Sequence, residues 1–90
     1  MLMIKINFSK IEIPVGIKGE TFIVQDLRED FADVIYGHCV GIAAHALALK
    51  IYKSEGEEEY DENEVKMIRF ASEEYTSPSI IDALSKLIGS

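Results

Sequence analysis

The sequence predicts an α+β domain: an N-terminal antiparallel β-hairpin or three-stranded meander, followed by a long helix and two shorter helices. Three observations carry this. Apolar residues alternate at period two through the first fifteen positions, then switch to spacings of three and four from Leu27 onward. Helix start signals recur at Asp61 and at Ser77. The chain has 90 residues, 48% hydrophobic and 28% charged, which is one small folded domain spanning 1–90 with a thin core.

The first strand is written by Leu2, Ile4, Ile6 and Phe8, which alternate with Met3, Lys5, Asn7 and Ser9. Ile11, Ile13 and Val15 continue the alternation one step out of phase, so a tight turn or a bulge at Ser9-Lys10 must reset the face. Pro14, Gly16 and Gly19 interrupt the chain before a further strand, Thr21 to Gln25. The connections are too short for a crossover, so the strands pair antiparallel. Two strands alone are marginal in water and need a helix on one face.

Asp26 followed by Glu29 has the spacing of a capping box. Leu27, Phe31, Ile35, His38, Ile42, His45, Leu49 and Tyr52 then form one helical stripe, with a second stripe of Val40, Ala44, Leu47 and Ile51. Ser54-Glu55-Gly56 ends this helix. Asp61 and Glu64 form another capping box and open a helix through about Tyr75, using Val65, Ile68, Ala71 and Tyr75 as its apolar face. Ser77-Pro78 starts a last amphipathic helix that stops at Gly89.

The long helix is too long for its domain. Residues 26–54 would span about 43 Å, against a diameter of roughly 31 Å for a compact chain of this size. Either the helix breaks near Gly37–Gly41, or something else covers its overhang. Gly37, Gly41, Ala44 and Ala48 form a strip of small residues that admits a close backbone, from this chain's own elements or from a second copy. The expected self-association face is Phe31, Ile35, His38, Gly41, Ile42, His45 and Leu49.

Charge is concentrated. There are sixteen acids and nine bases, a net −7, and seven of the acids lie in residues 55–64; the other nine balance the nine bases. The segment reads as a solvated loop between two helices, with Glu57, Glu58, Glu59, Asp61 and Glu62 as a candidate docking loop for a basic partner. An EF-hand reading fails, because Glu62 stands where the loop needs glycine and Ile68 where it needs the last glutamate. The balance argues against nucleic acid or an anionic membrane as a partner. The longest apolar run, Cys39 to Leu49, is too short to span a bilayer.

Few residues carry chemistry. His38 and Cys39 are neighbours on a helix and point about 100° apart, so the histidine cannot activate the thiol. Cys39 reads as a small hydrophobe, and a lone cysteine fits a reducing, cytoplasmic setting. His38 and His45 are separated by about 10.5 Å along a helix and cannot share a zinc ion within one chain. Two copies crossing antiparallel at Gly41 would bring His38 of one to His45 of the other, giving a metal- or pH-sensitive contact. No phosphate loop, nucleophile elbow or other catalytic signature is present, and no cofactor is expected.

Asp26-Leu27-Arg28 running to Ile35-Tyr36, then Leu47 to Gly56 and an acidic helix start, resembles small uncharacterised proteins of bacteriophage and prophage structural gene clusters. The likeness covers residues 22–75 and rests on a helix–loop–helix pattern. It implies a bacterial or phage protein that is an accessory of head or tail assembly, without enzymatic activity. The expectation is therefore a non-enzymatic protein-interaction module, a homo-oligomer or a binder of another protein, with its sheet edge, helix stripe and acidic loop as the contact elements. The alternative is a ligand- or metal-responsive regulatory domain that uses the His38/His45 face.

Overall fold

The computed structural model describes residues 3–17 and 21–89. The expectations placed on Leu2 and Gly19 lie outside them. The elements are β1 (Met3–Ile6), β2 (Ile11–Pro14), β3 (Phe22–Gln25), α1 (Arg28–His38), α2 (Ile42–Lys53), β4 (Glu58–Asp61), α3 (Glu62–Tyr75) and α4 (Pro78–Ile88). The class is α+β, as the period switch predicted.

Between β1 and β2 the reset is a turn. The Lys10 N–H donates to the Asn7 carbonyl at 3.2 Å, and the Ser9 N–H to Asn7 Oδ1 at 3.1 Å. The turn changes phase, so Ile6 and Phe8 on one side and Ile11 and Ile13 on the other all enter the core. The two strands it joins do not pair with each other. β2 and β3 form the antiparallel hairpin, while β1 pairs antiparallel with β4.

That second pairing corrects the reading of the acidic segment as a loop. Glu58, Glu59, Tyr60 and Asp61 are β4, opposite Ile6, Lys5, Ile4 and Met3 respectively. Acidic residues are poor strand formers, but Tyr60 is fully buried and Lys5 directly faces Glu59 across the ladder. Burial of one aromatic side chain on a ready partner strand outweighs the propensity of its neighbours.

The long helix is broken. Its first part ends at His38, Cys39 is extended, and Gly41 (φ 100°, ψ 169°) precedes α2. The chain folds back there into a helical hairpin: Arg28 Nη1, at the start of α1, donates to the Ser54 carbonyl at the end of α2 at 2.8 Å. The break lets Leu27, Phe31 and Ile35 of the first stripe meet Ala44, Leu47 and Ile51 of the second, and all six are buried. The cost of the overhang thus decides against a straight helix. The molecule measures 38 × 26 × 23 Å with a radius of gyration of 12.3 Å.

Helix starts divide in the same way. Asp26 and Glu29 make no capping box; Leu27 is the N-cap, with no side-chain bond. Asp26 instead accepts the Arg28 N–H at 3.0 Å and the Arg28 guanidinium at 2.7 Å, which holds its carboxyl below the usual range. The box at Asp61 forms fully: Asp61 Oδ1 accepts the Glu64 N–H at 2.8 Å, and Glu64 Oε1 accepts the Asp61 N–H at 2.9 Å. Pro78 opens α4 and Gly89, left-handed at φ 85°, closes it. Helix α4 packs on β2 and α3.

Phe8 sits at the centre. Its ring stacks on Phe31 at 5.3 Å and meets Tyr60 edge-on at 5.7 Å, and its carbonyl accepts the Leu27 N–H at 2.7 Å. One residue therefore joins the β1–β2 turn, α1 and β4. Tyr60 also carries Lys50 over its ring at 4.5 Å, yet its hydroxyl is buried with no hydrogen-bond partner among the described residues. The Ser54 hydroxyl gives its proton to the Ile51 carbonyl at 2.7 Å. Burial, then the Glu58 and Glu64 charges, raise the Tyr60 pKa. Tyr60→Phe is expected to raise stability by about 1 kcal/mol by removing an unpaired buried hydroxyl. An unfolded tyrosine ionises near pH ~10 while the folded one stays neutral, so the wild type loses stability above that pH. The variant, followed by urea unfolding from pH 7 to 11, should lose this part of the decline.

Candidate functional site

The hairpin strand β3 is built unlike the rest of the fold. Its partner β2 buries Ile11 and Ile13, whereas all four β3 residues are exposed, Phe22 at 41%, Ile23 at 45% and Val24 at 60%. The local cause is the two-stranded sheet: α4 packs on β2, and β2 is the only strand that pairs with β3 among the described residues. Val15 and Ile17 extend the apolar surface beyond the strand.

The register fixes which backbone groups remain free. The Val15 N–H donates to the Thr21 carbonyl at 2.8 Å, and the pairs that follow are Pro14–Phe22, Ile13–Ile23, Glu12–Val24 and Ile11–Gln25. Hydrogen-bonded and non-hydrogen-bonded pairs alternate in an antiparallel ladder. Ile23 and Gln25 therefore face β2, while Phe22 and Val24 turn their N–H and C=O groups to the open edge. Pro14, which has no N–H, sits opposite Phe22 as this alternation requires. Edge strands are normally blunted by a charge, a proline or a bulge. Thr21 to Gln25 contain none of the first two, and the β2–β3 register runs without a bulge. The surrounding polar detail is sparse: Lys86 lies over the Phe22 ring at 5.0 Å.

The helix face expected to self-associate is divided by the break. Phe31 and Ile35 lie in the chain's own core, while His38, Gly41, Ile42, His45 and Leu49 are exposed. The small-residue strip is divided too. Ala44 and Ala48 are buried, but no atom outside the local chain lies within 4 Å of where a Cβ would stand on Gly37 or Gly41. A two-fold crossing at Gly41 needed a straight helix through both histidines, and the chain turns there instead.

Each histidine has its own aromatic neighbour. His38 stacks on Tyr75 at 4.0 Å and 12°, and His45 lies 5.7 Å from Tyr36. Among the described residues no three His, Cys, Asp or Glu side chains converge as metal ligands. Zinc or nickel is accordingly expected to leave the melting temperature unchanged, since only a ligand that binds the folded state raises it. An upward shift with either ion, lost in His38→Ala, would support the metal-responsive reading. Cys39 caps α1 through its N–H, half-buried, and burial pushes its thiol up, away from a reactive thiolate.

Of the acidic docking residues, Glu57, Glu58, Glu59 and Glu62 are exposed, while Asp61 is committed to its cap. Glu62 pairs with Lys66 at 3.8 Å within α3. Glu64 meets Lys50 at 3.1 Å, and Lys50 also donates to the Glu59 carbonyl at 2.6 Å. Part of the acidic segment therefore holds α2, β4 and α3 together. The sequence offered the sheet edge as a contact element but did not say which strand forms it, and Thr21 to Gln25 read only as a strand. The signal was there in the lack of any charge on a strand that its hairpin leaves at the margin.

No protein family, curated protein or solved structure matches this chain. Among the described residues no helix is long and apolar enough to cross a membrane.

Proposed function

We propose that this chain is a small, non-enzymatic protein-interaction module that works by offering the open edge of β3 to a partner strand. The observation that carries this reading is the strand itself: four exposed residues, three of them large and apolar, with outward backbone groups and no charge to repel a neighbour. Strand addition at such an edge supplies main-chain hydrogen bonds for affinity and side-chain pockets for selection. The exposed acids Glu57, Glu58, Glu59 and Glu62 are a second contact element, suited to a basic partner.

A role as an accessory of phage head or tail assembly, in the bacterial cytoplasm, rests on the resemblance carried by residues 22–75. Genes for capsid or tape-measure proteins beside its own gene would support that role, and metabolic neighbours would overturn it. The interaction itself is tested by purifying the tagged chain from its native cells, beside a Phe22→Lys/Val24→Lys variant. A stoichiometric companion, of any sequence including its own, should accompany the parent and be lost from the variant. Recovery of the bare chain in both cases overturns the proposal.

A further inference from the structure

Resting on that reading, we infer that the partner is a second copy of this chain, joined antiparallel to it through β3 about a two-fold axis at Ile23. The free edge selects this register. Phe22 and Val24 are the residues whose N–H and C=O groups point outward, so the hydrogen-bonded pairs across the new seam are drawn from them. Centring the axis on Ile23 sets Phe22 opposite Val24 of the second copy and Val24 opposite its Phe22, which makes four main-chain hydrogen bonds. Ile23 then faces its own counterpart, and Thr21 faces Gln25 at each end. Each pair joins like with like: an aromatic with a β-branched residue, two isoleucines, and two uncharged polar side chains. Centring on Val24 instead would set Phe22 against Asp26, which is already engaged by Arg28.

Charge does not oppose this occupant at this place. The net −7 resides in residues 55–64, the nine other acids being balanced by the nine bases, and residues 21–25 are a stretch without any charge. The product is a four-stranded sheet in the order β2, β3, β3, β2, which replaces two marginal hairpins by one sheet. Phe22, Ile23 and Val24 are the exposed apolar side chains on the seam strand. A seam of five residues a side falls short of the roughly 1,200–2,000 Å² of a stable interface and is the size of a weak or transient contact. The dimer should therefore be a micromolar one.

The test is sedimentation equilibrium between about 1 μM and 1 mM, on the parent chain and on Val24→Pro and Val24→Lys. Proline removes an N–H that points outward and leaves the bonds of the β2–β3 hairpin in place. The lysine variant covers the case in which proline disturbs the hairpin, and circular dichroism checks both folds. The parent is expected to move from 10.1 kDa toward twice that mass, and both folded variants to stay monomeric. A dimer that survives in both variants overturns the β3 seam but leaves an interaction module standing. A parent that is monomeric throughout overturns self-pairing. The native-cell purification then decides whether the edge binds a different protein or nothing.

Discussion

Phe8→Ala is expected to lose about 3–5 kcal/mol of stability, a large share of the 5–15 kcal/mol that holds a domain together. The ring is fully buried and touches both Phe31 and Tyr60, so its removal leaves a cavity where β1, α1 and β4 meet. The chain cannot close that cavity cheaply, because the Phe8 carbonyl also anchors the Leu27 N–H that starts α1. Urea unfolding would read the loss as a lower midpoint with little change in slope. Phe70→Ala is the control: Phe70 is half-exposed and should cost no more than about 1 kcal/mol. Equal losses from the two would mean that the core is centred elsewhere.

The second large effect separates two glycines that look alike in sequence. Gly41→Ala is expected to cost about 1–3 kcal/mol, because φ 100° with ψ 169° belongs to a region that only glycine occupies freely. Gly37 lies inside α1, has no positive φ and has open space where a Cβ would go. Gly37→Ala should therefore raise stability by about 0.5–1 kcal/mol. Thermal unfolding of the two variants gives opposite signs if the helix breaks at Gly41. Stabilisation by both would instead point to a continuous helix.

These positions show what was legible and what was not. Local chemistry read well where one short segment settles the matter. Asp61 and Glu64 cap each other, Pro78 and Gly89 bound the last helix, and the out-of-phase isoleucines announced the turn at Ser9-Lys10. Asp26 and Glu29 have the same spacing as Asp61 and Glu64 but form no cap, because Arg28 engages the Asp26 carboxylate first. The pairing of β1 with β4 was not legible, since it joins residues more than fifty positions apart and one of the strands is acidic. Size arithmetic showed that residues 26–54 must bend or find cover. It did not show that the bend would bury Phe31 and Ile35 and turn Ile42, His45 and Leu49 outward. The candidate helix face failed to assemble for that reason. A sheet edge was an expected contact element, but which strand forms it and which of its backbone groups stay free emerged only with the hairpin register.

The most direct measurement of the central claim, that the open edge of β3 pairs with a second copy of the chain, is amide hydrogen exchange at Phe22 and Val24 as the protein concentration rises. Both N–H groups face away from β2, so they should exchange freely in dilute solution and become protected as copies pair. Ile23, already bonded to β2, should change far less. Exchange at Phe22 and Val24 that stays fast up to about 1 mM would contradict the claim.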